Sequence, residues 1–163
     1  ALDSYTGKRI ASATGNGEAS DDIVAELLLK AVQANISEFQ TRLNTHFTDL
    51  LTNGREVSIF IKTWDSWEYD LEEEYDSELL TDVIDNWMAE NTVSGRYTLT
   101  DATETFMRFE QVRIPLYDDK GRAIDSRKFT NELRKYLMKE PYVIESKLMT
   151  RGLGEAILVL GEK

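Results

Sequence analysis

The sequence predicts an α+β fold: two β-α-β-β units on a ferredoxin-like plan, with a long N-terminal helix packed on a mostly antiparallel sheet. Three observations carry this. Apolar residues recur at helical spacing from Val24 to Leu50. Short β-branched runs alternate with polar residues further on, beginning at Val57-Ser58-Ile59. The order strand, helix, strand, strand occurs twice, over residues 56–110 and 111–163.

The elements follow in chain order. Residues 8–17 read as a short strand or extended arm closing on the glycine turn Gly15-Asn16-Gly17. Ser20 or Asp21 can cap the helix that follows, and Asp21 and Asp22 suit its positive end. Val24, Leu28, Val32, Ile36, Phe39, Leu43, Phe47 and Leu50 stand in steps of three and four, one helical face. Asn53-Gly54 ends it. A continuous helix here is on the order of 45 Å long; Asn35 and Ser37 make a kink the competing reading.

Val57, Ile59 and Ile61 then alternate with Ser58, Phe60 and Lys62 as a strand. An acidic stretch leads to a helix over 77–90 with the apolar stripe Leu79, Leu80, Val83, Ile84, Trp87 and Met88. Strands at 96–100 and 105–109 form a hairpin, and a phase slip between Phe109 and Val112 predicts a bulge or a break. The second unit has a strand at 111–116, the turn Asp118-Asp119-Lys120-Gly121, a helix over 126–139, a strand at 142–148 and a wholly apolar strand at 156–160, expected inside the sheet. Glu104-Thr105-Phe106-Met107 aligns with Glu155-Ala156-Ile157-Leu158. The expected organisation is one domain, 1–163, made of an arm and helix (1–55) and the two units.

Composition limits function. Thirty acidic against nineteen basic residues give a net charge of -11. That opposes binding to nucleic acid or to an anionic membrane surface, both of which need a basic excess. Without cysteine there is no disulfide, zinc–thiolate site or thiol nucleophile. No apolar run approaches the length of a bilayer span. The start at Ala1 is read as a processed end, which makes export an expectation.

No motif carries a reaction. Gly15-Asn16-Gly17 before a helix invites a phosphate-loop reading, but no Lys-Ser/Thr follows, and Glu18, Asp21 and Asp22 repel phosphate. A turn with an N-cap explains it. The single histidine, His46, lies beside the apolar stripe with no partner nearby in sequence, and reads as structural. The most unusual stretch is 64–76, where Asp65, Glu68, Asp70, Glu72, Glu73, Glu74 and Asp76 interleave with Trp64, Trp67, Tyr69 and Tyr75. It fits a solvated loop whose rings pack back on the domain, a partner-binding surface anchored by those rings, or a cation site without the EF-hand ligand order.

Gly15-Asn16-Gly17-Glu18-Ala19-Ser20, the long helix and Val57-Ser58-Ile59-Phe60-Ile61 resemble the opening of exported bacterial envelope proteins of the flagellar-assembly-protein-T and curli-assembly-lipoprotein kind. Phe129 to Leu137, then Val143, then Gly154-Glu155-Ala156-Ile157-Leu158-Val159 are similar to their helix, strand and Gly-small-aliphatic ending. The resemblance implies an exported, non-enzymatic assembly or accessory module.

The expectation is therefore a non-catalytic periplasmic or cell-envelope module without metal or cofactor. It acts on a protein partner or on itself, with Trp64, Trp67, Tyr69 and Tyr75 as candidate contacts. A small hydrolase using Asp and Glu, or a small-ligand-binding domain, is the alternative.

Overall fold

The computed structural model describes residues 1–12 and 24–162. The Gly15-Asn16-Gly17 turn and the caps at Ser20 and Asp21 lie outside the described residues. The chain divides into two compact units, Ala1–Thr52 and Asn53–Lys163.

The first unit holds helix α1, Val24–Asn53. It runs unbroken through Asn35 and Ser37. Asn35 donates from its side-chain amide to the Ala31 carbonyl (2.8 Å) and the Thr41 hydroxyl donates to the Ser37 backbone carbonyl (2.9 Å), so the Asn35 and Thr41 side chains bond within the helix. No described side chain of α1 is buried. In the described part of the arm Leu2 bridges Arg9; the rest of the short strand or extended arm read over 8–17 lies outside the described residues from position 13 on. Gly54 ends α1 as anticipated. Its φ of +77° is the left-handed conformation that closes helices, and a Cβ there would overlap the Ile114 carbonyl.

The second unit is a five-stranded sheet with two helices. Its strands are β1 (Arg55–Thr63), β4 (Thr98–Ala102), β5 (Phe106–Ile114), β6 (Ser146–Arg151) and β7 (Glu155–Leu160); a separate hairpin pairs β2 (Glu74–Tyr75) with β3 (Glu78–Leu79). Helix α2 is Leu80–Asn91 and α3 is Ser126–Leu137. The sheet order is β4-β5-β1-β7-β6, with β1 antiparallel to β5 but parallel to β7. All other pairs are antiparallel, so the class is α+β with a mostly antiparallel sheet. Beyond the β2–β3 hairpin, the order β-α-β-β-α-β-β has one strand more than β-α-β-β-α-β and one fewer than two separate β-α-β-β units, because a single strand, β5, runs from Phe106 to Ile114.

A bulge in β5 explains the phase slip. Phe109 and Val112, three apart, would face opposite sides of a regular strand. Here Val57 pairs with Val112 and Ile59 with Phe109, so β5 carries an extra residue, and Gln111 takes φ 52° to absorb it. Both apolar residues thereby reach the core, each at 0% exposure. One strand with a bulge replaces the two expected at 105–109 and 111–116.

One sheet face is covered. Val57, Ile59 and Ile61 of β1 and Met107, Phe109 and Ile114 of β5 join Leu80, Ile84 and Met88 of α2 and Leu133 and Leu137 of α3 in one cluster. Each such burial is worth roughly 1.5–3 kcal/mol. Trp87 and Phe129 meet edge to face at 5.3 Å and join the two helices. Asp125 caps α3 by accepting from the Lys128 amide (2.8 Å). β7, flanked by β1 and β6, lies inside the sheet as its apolar sequence predicts.

Two boundaries differ from expectation. The helix placed at 77–90 starts at Leu80, because Glu78 and Leu79 pair with Tyr75 and Glu74. The strand placed at 142–148 starts at Ser146. Val143 has φ 51°, and the amides of Val143 and Ile144 donate back to Lys139 and Leu137 (3.0 and 2.9 Å) instead of to a strand. Among the described residues no helix is long and apolar enough to cross a membrane.

Candidate functional site: an aromatic groove at the end of the parallel pair

β1 and β7 run parallel, so both end at the same edge of the sheet, where Thr63 pairs with Leu160. β6 begins there too, with Ser146 opposite Leu160. The segments leaving or entering these strands meet at that edge, as loops meet beyond the carboxyl ends of parallel strands generally.

Trp64 opens the first segment, its amide bonded to the Leu160 carbonyl (2.8 Å), and the Trp67 amide donates to Trp64 (2.8 Å) in a tight turn. Leu71, fully buried, anchors the acidic stretch, with its amide on the Glu104 carbonyl (2.7 Å). Asp76 and Ser77, both at positive φ, form the two-residue turn that returns Glu78 beside Tyr75.

These segments enclose a groove of about 710 Å³ lined by Trp67, Tyr69, Tyr75, Tyr142 and Val143, with Glu68 and Glu145 among its walls. Trp67 and Tyr69 meet edge to face at 5.8 Å, as do Tyr75 and Tyr142 at 5.5 Å. Behind them Tyr136 lies 5.3 Å from Tyr142 ring to ring, with their hydroxyls 3.1 Å apart. The Trp67 ring rests on Gly161, which has φ +78° and no room for a Cβ beside that indole. The Gly161 amide is held by the Glu145 carbonyl (2.8 Å).

The electrostatics are acidic, and Tyr75 and Tyr142 stay protonated. The hydrogen bond with Tyr136 pushes the Tyr142 hydroxyl up to about 12, with burial and the charges of Glu78 and Asp76 adding to it. Tyr75 is raised by burial first, then by Glu73. Both rings therefore present neutral hydroxyls at physiological pH.

Of the four residues nominated from sequence, Trp67, Tyr69 and Tyr75 line this groove, and Trp64 does not. Trp67 and Tyr75 also pack against the core, while Tyr69 is 52% exposed. Tyr142 and Tyr136 escaped sequence reading. Spacing places Tyr142 in a strand, and only its neighbour Pro141 points to a turn. The seven carboxylates of the acidic stretch do not converge: among the described residues no group of three or more His, Asp or Glu side chains is placed to hold a metal ion. His46 finds Asp3, Nε2 to Oδ2 at 3.8 Å, a partner no sequence spacing could nominate. In the turn after β5, Asp118 accepts from the amides of Arg122 (2.8 Å) and Lys120 (3.0 Å), bonds that hold its carboxyl below the usual range.

No curated protein and no solved structure is matched by this chain. A family model does match residues 55–161, which takes in β1 through β7 with both of their helices and every residue lining the groove. The chain belongs to the DUF6175 family, described as a domain of unknown function.

Proposed function

We propose that the chain is a non-catalytic binding module whose aromatic groove receives a side chain of a protein partner. The observation that supports this most is the gathering of Trp67, Tyr69 and Tyr75 from one stretch of sequence and Tyr142 from another around one groove. Aromatic anchors in a pocket dominate protein recognition. Acidic walls and ring faces favour a cationic or amphipathic side chain. Light scattering of the chain mixed with fractionated envelope extract tests the proposal. Tyr69→Ala, which removes an exposed ring, leaves the circular dichroism unchanged and abolishes the association. An association that survives both Tyr69→Ala and Trp67→Ala contradicts it.

A second reading, self-association, rests on α1. Leu29, Val32, Ile36, Phe39, Leu43, His46 and Leu50 follow steps of three and four, the seam spacing of paired helices. Leu29, Val32 and Ile36 are 58%, 59% and 47% exposed. A single helix in water draws most of its stability from packing its apolar face and little from itself. On this reading the parent chain is a dimer in light scattering and Ile36→Asp a monomer; a monomeric parent at every concentration rejects it.

The envelope setting comes from the resemblance to exported accessory proteins. Fractionation of the source cells with an antibody to the chain tests it, and recovery in the cytoplasm alone contradicts it.

A further inference from the structure

A second groove lies between α3 and the edge strand β6 and measures about 500 Å³. Its walls are basic. Arg127, Lys128 and Arg134 come from α3 and Lys147 from β6, with Asp125 as the acid among them. This is unexpected on a chain with thirty acidic and nineteen basic residues. Clustered cations repel one another unless an anion is shared between them.

Geometry points the same way. Arg127, Asn131 and Arg134 stand at i, i+4 and i+7, one face of α3. Arg134 donates from Nε to the Ser146 carbonyl (2.9 Å), which fixes its guanidinium plane. Its terminal nitrogens, and the whole Arg127 guanidinium, have no hydrogen-bond or ion-pair partner among the described residues. Lys128 is tied to the Ala123 carbonyl (2.6 Å) and Lys147 to Glu162, so these two contribute field more than direct contact.

An independent observation concerns Ser146, which lines this groove. It is 4% exposed, and its buried hydroxyl has no hydrogen-bond partner among the described residues. Buried hydroxyls are nearly always bonded.

We propose that the α3–β6 groove binds the phosphate group of a small molecule, gripped by Arg127 and Arg134 and bonded by the Ser146 hydroxyl. Guanidinium forks match the oxygens of a phosphate. With Asp125 capping α3 and Glu162 paired to Lys147, the four cations leave a local excess of two positive charges. A phosphate carries about -1.5 to -2 at neutral pH and so balances that excess better than a single carboxylate does.

The test is an amide-resolved NMR titration of the full chain with inorganic phosphate, glycerol phosphate and acetate, in chloride of matched ionic strength. Saturable shifts in the amides of residues 126–134 and 146–148 are expected with both phosphates, and much weaker ones with acetate. Stronger binding of glycerol phosphate identifies an organic phosphate as the ligand; stronger binding of the inorganic ion identifies free phosphate. Arg127→Gln, which breaks no contact among the described residues, weakens the phosphate affinity by roughly tenfold or more. Arg134→Lys keeps the charge, loses the fork and weakens it less. Shifts that chloride reproduces, shifts that never saturate, or an Arg127→Gln chain that titrates like its parent overturn the proposal.

Discussion

At the scale of single residues, Gly161 decides the shape of the aromatic groove. Its φ of +78° and the indole resting on it leave no place for a side chain. Gly161→Ala combines a left-handed alanine, about 1–2 kcal/mol, with overlap against Trp67. We expect a loss of roughly 2–4 kcal/mol in urea unfolding, with a changed Trp fluorescence spectrum. An unchanged midpoint and spectrum would show that Trp67 does not rest there. Two tyrosines make a second prediction. Burial and a hydrogen bond to Asp85 (2.8 Å) push Tyr97 up to about 12, and the bond with Tyr136, then burial, does the same for Tyr142. Because the folded values lie above the ordinary 10.0, their contribution to stability is whole below pH 10 and is lost as pH rises through about 12. Tyrosinate absorbance should show late-titrating groups, one of them removed by Tyr97→Phe and another by Tyr142→Phe.

At the scale of elements, the β2–β3 hairpin is closed by Asp76 and Ser77, both at positive φ. That turn prefers Asn-Gly. The pair Asp76→Asn and Ser77→Gly should stabilise the chain by about 1 kcal/mol in urea unfolding, and a destabilised double variant contradicts the turn described. This hairpin was not legible in the sequence. Its strands are two residues each, too short to show alternation, and Leu79 fits the helical stripe equally well. Longer periodic elements were legible: α1, β1, α3 and β7 lie where their spacing predicts. The break at Phe109–Val112 was visible as a phase slip, but only the pairing with β1 shows that the strand continues through a bulge. Residues 142–145 look like strand because Tyr142, Val143 and Ile144 favour extended backbone. Hydrogen bonds to the end of α3 override that preference and bring Tyr142 to the groove. The site was legible in the same measure. Aromatic rings among acids marked 64–76, whereas the partners from 136 and 142 depend on tertiary contacts that no local spacing encodes.

At the scale of the whole molecule, the core, both grooves and the family match all fall within residues 53–163. A chain of residues 53–163 should therefore unfold in one cooperative transition with retained sheet signal, and a non-cooperative transition would show that the first unit is needed for folding. The edge where β1 and β7 end is proposed as a recognition surface. It is tested most directly by placing a photo-reactive side chain at position 69, in the groove, or at position 153, in the β6–β7 turn at the opposite end of the sheet, and irradiating cells that make each chain. A discrete protein adduct is expected from position 69, none from position 153, and loss of the first when Trp67 is also replaced by alanine. Equal adducts from both positions, or no adduct from position 69, would contradict it.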